Sequence, residues 1–316
     1  VQTCALPILI DLYADLQYRF ISYCIDGIND EDLKPLYVNN TFHFFNPKAG
    51  ITYSSLNNRV YFNFAIANRE PTRKNYTEAG QNEIPLPEKL FDYELGYSYA
   101  TNVFNAGINL YYMDYKNQLV LTGKYSDTGA YLTKNVDKSY RMGAEISAGV
   151  RLWQMLGWNI SLTISRNKIL NHHDWVELYD LSWNEQPQQE VDFGTVTIAM
   201  SPSVIFNNLF SFNYKGFQAQ LQTQVVSKQY LDNTMSEEAI LKPYTVTNLS
   251  AEYKLPLPTS IVGVVLMCRV NNLFNATYES NGGNWMCRFT NGTSYYSPWY
   301  YAQAGINVHG GFKVTF

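Results

Sequence analysis

The sequence predicts an all-β chain: an antiparallel, up-and-down transmembrane β-barrel of which about twelve strands are present. Three observations carry that prediction. The 316 residues include 26 Tyr and are 16% aromatic against 16% charged, and rings with a polar tip concentrate where protein crosses a membrane–water boundary. Segment after segment alternates apolar and polar residues with period two. The links between those segments alternate short and long.

Other classes fit less well. No stretch approaches the roughly 18 uncharged apolar residues of a membrane helix, Ile261–Cys268 being the longest. A mean hydropathy of −0.25 suits strands whose two faces average out. A net charge of −4 without a Lys/Arg cluster argues against a nucleic-acid partner. Cys4, Cys24, Cys268 and Cys287 are scattered and form no CxxC pair, so neither a zinc site nor a disulfide scaffold is indicated. No signal peptide opens the chain, and residues 1–7 match neither strand nor turn; they are expected to be a truncation point or artefact.

The strands follow in order. The first three are expected at Leu12–Phe20, 41–54 and Val60–Ile66, and the next two at Phe91–Tyr99 and Phe104–Tyr112. Over 137–152, Tyr140, Met142, Ala144, Ile146, Ala148, Val150 and Leu152 alternate with Arg141, Glu145 and Arg151 among small residues, which keeps all charge on one side. Such a strand needs lipid on one face and water on the other. Trp158–Ile164 and Val196–Phe206 follow; Pro202 cannot donate to a ladder, so a bulge or break is expected there. From Phe217 to Val225 apolar residues alternate with four glutamines, and weaker or shorter matches lie at 243–254 and Val264–Val270. The last strand is the clearest, with Ala302, Ala304, Ile306, Val308, Gly310, Phe312, Val314 and Phe316 on one face.

Short links are expected near Ser55–Asn58, Thr101–Val103, Trp153–Gly157, Asn213–Gly216 and Pro256–Ser260, and long ones at roughly 24–40, 70–87, 119–136, 168–192, 229–242 and 276–300. That rhythm describes tight periplasmic turns and extended outside loops, which a soluble sandwich has no reason to keep at one end.

The chain resembles the C-terminal barrel portion of TonB-dependent outer-membrane receptors, particularly Bacteroidetes-like ones, over 8–316. The resemblance rests on Asn63–Arg73, Asn109–Val120, Lys228–Thr234 and Asn271–Gly282, the last including Asn271-Asn272-Leu273-Phe274-Asn275, together with the terminal Phe316. It implies a 22-stranded barrel plugged by an N-terminal domain. At roughly 26 residues per strand, 22 strands need on the order of 570 residues, so the plug, the TonB-contacting peptide and about ten strands are expected to lie outside this chain. The resemblance further implies bacterial outer-membrane lipid as surroundings and TonB-coupled uptake of a scarce nutrient, with a siderophore-iron or similar chelate favoured over haem, cobalamin or a glycan. It also implies that the barrel-assembly machinery reads Phe312, Val314 and Phe316.

Candidate sites follow from the topology. Trp285, Arg288, Tyr295, Tyr296, Trp299 and Tyr300 form an aromatic set in the final long loop that suits a large, partly apolar solute, though rings there also serve as an interfacial girdle. Asp92, Glu94, Arg141, Glu145, Arg151 and Arg269 oppose apolar strand faces and are expected to line the lumen. His172, His173 and Asp174 could be offered as metal ligands, but two adjacent His cannot easily turn both rings to one ion on a strand and no further ligand is evident, so no metal site and no cofactor is expected. With no GxSxG and no His beside a convincing Ser, no catalytic residue is assigned. Two alternatives stay open: a small passive porin-like channel and a soluble β-rich binding module, the latter burying Phe104, Leu110, Val150 and Ile306 in a core.

Overall fold

The computed structural model describes residues 9–28, 35–77, 79, 84–125, 131–257 and 263–315. The expectations for residues 1–7 and for Phe316 lie outside them.

The elements in chain order are β1 (Ile10–Ile28), β2 (Pro35–Ser55), β3 (Asn58–Arg69), a one-turn α1 (Arg73–Thr77), β4 (Glu88–Ala100), β5 (Phe104–Tyr125), β6 (Tyr131–Arg151), β7 (Leu156–Tyr179), β8 (Glu185–Thr197), β9 (Val204–Tyr214), β10 (Phe217–Val226), β11 (Gln229–Tyr230), β12 (Ile240–Leu241), β13 (Tyr244–Lys254), β14 (Gly263–Asn271), β15 (Glu279–Phe289), β16 (Ser294–Ala302) and β17 (Asn307–Thr315). Twelve of these strands form one path, β1-β2-β3-β4-β5-β6-β7-β9-β10-β13-β14-β17, which is the expected meander. Every pairing along it is antiparallel. The sheet is open, with β1 and β17 at its two ends.

Register explains why the alternation was so regular. Leu12, Ile51, Phe62, Leu95, Leu110, Ala144, Ile164 and Val204 are successive cross-strand partners and form one apolar row. They face outward: Leu12 is 75% exposed and Leu110 45%. Phe104 and Ile306 are exposed too, which removes the soluble-core alternative for them. One residue along each strand, Tyr13, Gly50, Asn63, Glu94, Tyr111, Gly143 and Ser165 form the neighbouring row on the opposite face. So extensive an apolar exterior needs hydrocarbon around it, while the polar concave wall needs water.

The concave wall carries a repeated joint. Tyr13 lies against Gly50 and donates to Asn63 Oδ1 (3.2 Å); Tyr61 lies against Gly96 and donates to Asn109 Oδ1 (3.1 Å); Tyr111 lies against Gly143 and meets the Ser165 hydroxyl. In each case the Tyr faces the Gly directly across the ladder and the polar partner faces that Gly one strand further on. A Cβ at these glycines would overlap the ring, so Gly is required there for close approach.

Several expected loops are strand instead. β5 and β6 continue as a paired ribbon to Tyr125 and Tyr131, and β7 runs 24 residues, roughly 80 Å of strand against a bilayer core of about 30 Å. Apolar/polar alternation fades above the membrane because neither face meets lipid, yet the ladder persists. The segment 276–300 is likewise the β15–β16 hairpin. The strand expected at Val196–Phe206 is β8 and β9 laid end to end along β7, broken at 198–203 around Pro202. The final strand starts at Asn307, since Ala302 ends β16 and the Asn275 side chain accepts from Ile306 N (2.9 Å) in the turn between. Ile306 therefore stands at the outer end of β17, opposite no ladder partner, rather than at mid-membrane.

Candidate functional site

The outer ends of the strands hold the chain's true cores. Val120, Val136, Ile169, Val196 and Ile198 are buried together against Phe193 and Met235, and Leu231, Ala239 and Leu241 pack against Met200 and Tyr296. The segment that follows β10 thus folds over the sheet and closes contacts that short strands alone would lack. Asn233 ties it down, donating to Leu121 O (2.9 Å) and accepting from Ala199 N (2.8 Å).

β15 enters this assembly as a parallel neighbour of β7, with Cys287 opposite Glu177 and Phe289 opposite Tyr179. Strand pleating then splits the predicted aromatic set. Trp285, Tyr295 and Trp299 occupy one face of the β15–β16 hairpin; Arg288, Tyr296 and Tyr300 occupy the other. Tyr296 packs into the Leu231 core, and Tyr300 stays exposed. Trp285 and Tyr295 are 6.1 Å apart between ring centroids and join three rings that sequence reasoning did not select. Tyr179 lies 6.2 Å from Trp285 and 5.8 Å from Trp183, and Trp183 lies 4.9 Å from Phe289 and 5.6 Å from Tyr295, the last two edge to face. The available signal was the density of rings and acids in 174–190, masked by treating the stretch as loop.

Carboxylates hold this basin in place. Glu177 Oε2 accepts from Trp285 Nε1 (3.0 Å) and from the Tyr179 hydroxyl (3.5 Å). Asp180 accepts from Ser182 N (2.8 Å), Asn184 N (2.9 Å) and Asn184 Nδ2 (2.8 Å), shaping the turn that presents Trp183 in a left-handed conformation (φ 64°). The Asn184 bonds hold the Asp180 carboxyl below its usual range, while desolvation, with Glu177 and Glu185 adding to it, pushes the Tyr179 phenol up.

Beneath the hairpin, a narrow cleft is lined by Thr122, His172, Asp174, Asp232, Asn284 and Met286 among others. Asn284 Nδ2 donates to Asp232 Oδ2 (2.6 Å), and Asp174 pairs with Lys134 (3.0 Å). Burial holds the His172 imidazole below its usual pKa. His172 and His173 are not brought to a common ion, and no group of three metal-ligating His, Cys, Asp or Glu residues occurs among the described residues.

Of the charged strand residues, Glu94, Arg141 and Glu145 line one recess on the concave wall with Asn109 and Tyr111, and Arg141 donates to Ser201 Oγ (3.3 Å). Asp92 lies one ladder step from Glu94's row, on the same face, its Oδ1 buried without a partner. Arg151 stands by the Trp153 turn at the periplasmic rim, and Arg269 donates to Asn271 Oδ1 (2.8 Å) on β14. Phe312 (72% exposed) and Val314 share the outward face of β17.

The family model "TonB dependent receptor-like, beta-barrel" matches residues 26–273. The chain belongs to that family. Its place is the bacterial outer membrane. No curated protein sequence matches it significantly. Among solved structures, the receptor barrel is similar to the ferric-catecholate import receptor Fiu of E. coli K12 in its closed form (15% identity, 98% of this chain and 42% of that one, TM-score 0.65). It is similar also to the ferric yersiniabactin uptake receptor FyuA of Yersinia pestis (16%, 98% and 43%, TM-score 0.64) and to unliganded ferric citrate transporter FecA (14%, 97% and 42%, TM-score 0.70). At these identities the likeness is one of fold. The chain spans less than half the length of each.

Proposed function

We propose that this receptor chain is the C-terminal part of an importer that carries a scarce, bulky solute across the outer membrane with energy delivered through TonB, by way of an N-terminal plug. The role is transport rather than catalysis. The supporting observation is the pairing of a polar concave wall with a braced ring basin at the outer end of β7, a strand that contributes to both. A siderophore-iron or similar chelate is the first solute class to test, because the similar receptors named above take up ferric complexes. Asp92, Glu94, Arg141, Glu145, Arg151 and Arg269 are proposed to face the plug and the lumen water. Phe312, Val314 and Phe316 are proposed as the signal for the barrel-assembly machinery.

The test is growth of the native host on single limiting solutes, iron chelates first, with the complete receptor gene intact or deleted and with TonB active or inactive. Uptake that needs both is the expected result. Uptake that needs the gene but persists without TonB would overturn the importer reading and favour a passive channel.

A further inference from the structure

The outward face carries a row of cations at its upper edge. Moving up the strands in two-residue steps from Leu95, Leu110 and Ala144 leads to Lys89 on β4, Lys116 on β5 and Lys138 on β6, and these three are direct cross-strand partners. Lys116 lies twelve residues along β5 from Phe104 at the periplasmic turn. At about 3.3 Å of rise per residue and a tilt near 45°, that is roughly 28 Å up, just past an apolar band about 25 Å tall. Beneath the row stand Tyr93, Tyr112 and Tyr140, with neighbouring ring centroids 6.4 and 6.1 Å apart, and such rings mark the headgroup level of a bilayer.

Like charges directly opposite each other on a ladder repel, and here two such pairs adjoin. Snorkelling to water would suit one lysine; it does not account for three abreast. The concave side at this level is wired differently: Glu88, the residue before Lys89, pairs with Arg69 (2.7 Å), and Glu70 pairs with Arg19 (2.6 Å). Among the described residues no carboxylate is paired with Lys89, Lys116 or Lys138. Asp114, one outward step nearer the membrane, and Asp137, beside Lys138, adjoin the row, and Lys168 and Arg166 on β7 offset them in the two outward rows beneath. Lys89 and Lys116 lean over one ring, their ammoniums 4.9 and 5.7 Å from the Phe91 centroid, so their charges are gathered rather than splayed. With strands about 4.8 Å apart the row spans roughly 10 Å, which lets neighbouring ammoniums share one phosphate.

We propose that Lys89, Lys116 and Lys138 form a binding site for the phosphate of an outer-leaflet lipid headgroup, with the tyrosines and Phe91 below them meeting the top of its acyl chains. A lipid fits better than a free anion because the row faces away from the lumen and stands at headgroup height, where membrane-anchored phosphate is concentrated. The inference rests on the membrane placement of the outward face and holds whatever solute the receptor carries.

The test is native mass spectrometry of the complete receptor, purified in detergent and stripped of lipid, titrated with diphosphoryl lipid A, with the same lipid lacking its phosphates, and with inorganic phosphate. The phosphorylated lipid should bind at least about tenfold more tightly than the dephosphorylated one. Lys116→Gln and Lys138→Gln should each weaken it about fivefold, and the triple Lys89→Gln, Lys116→Gln, Lys138→Gln variant about a hundredfold, on the scale of one surface cation near anionic lipid. Lys116→Arg, which keeps the charge, and Lys254→Gln at the periplasmic end of β13 should leave binding unchanged. Equal binding of the two lipids, phosphorylated-lipid binding indifferent to the triple variant, or a loss in Lys116→Arg as large as in Lys116→Gln would each overturn the proposal. Inorganic phosphate bound as tightly as the phosphorylated lipid would overturn it too, by assigning the row to a free anion.

Discussion

Replacing Leu110 by Arg tests the membrane geometry near the middle of the apolar band. Leu110 lies six residues along β5 from Phe104, the residue at the periplasmic turn. With about 3.3 Å of rise per residue and a tilt near 45°, that places it roughly 14 Å up an apolar band about 25 Å tall, close to the midplane. Its row mates Leu95 and Ala144 offer no polar partner. An Arg there should cost about 2–4 kcal/mol, or roughly 30- to 700-fold in the folding equilibrium. Asn109→Arg turns the same charge to the concave side, beside Glu145, and loses one bond from Tyr61, so its cost should stay near or below about 1 kcal/mol. Denaturant titration of the complete receptor in lipid vesicles, read by heat-modifiable gel mobility, compares the two. Equal tolerance, or a larger loss for Asn109→Arg, would refute the assignment of faces.

Gly96→Val should overlap the Tyr61 ring and lower stability by about 1–3 kcal/mol, and adding Tyr61→Ala should recover part of it; the same vesicle titration measures both. Asn272→Ala removes a buried side chain that bonds Ala276 N, Ala276 O and Ala304 O (2.8–3.1 Å), costing about 1–3 kcal/mol and opening 273–276 and 303–306 to protease, seen by limited digestion. His172 has its pKa depressed by burial, so its contribution is full above the unfolded value of about 6.5 and is lost as pH falls through the folded value. The protection factors of amides at 231–234, exchange corrected for its intrinsic pH dependence, should therefore fall below about pH 6 in the native chain and not in His172→Gln; unchanged protection in both would count against this linkage.

Legibility tracked the solvent on each face. Where β3 to β6 cross the bilayer, one side must be apolar and the other hydrated, so period two was written into Phe62, Leu95 and Leu110 against Asn63, Glu94 and Asn109. Where β7 continues to Tyr179, water lies on both sides and nothing in the composition demands alternation, so a ribbon held by backbone bonds read as loop. The aromatic set was chosen by proximity in sequence, which ignores the pleat; Trp285 and Arg288 are three apart and must point oppositely on an extended strand. Trp183, on the other hairpin and about a hundred positions before Trp285, reaches Tyr295 only because β15 lies parallel to β7, a long-range pairing that no local pattern encodes.

The joints on the concave wall and the braced basin outside follow from one constraint. A strand that must be apolar outward has only its inward positions with which to set twist and height, and Tyr13, Tyr61 and Tyr111 use them by reaching across a Gly to a polar side chain two strands away. Each joint fixes three neighbouring strands, and together they cover β1 to β7 without a gap. The ribbons above inherit that rigidity because β5, β6 and β7 each run on past the membrane as one continuous strand. A basin such as that around Trp183 needs this footing, since ring contacts near 5 Å from two separate hairpins persist only if the strands beneath keep their register.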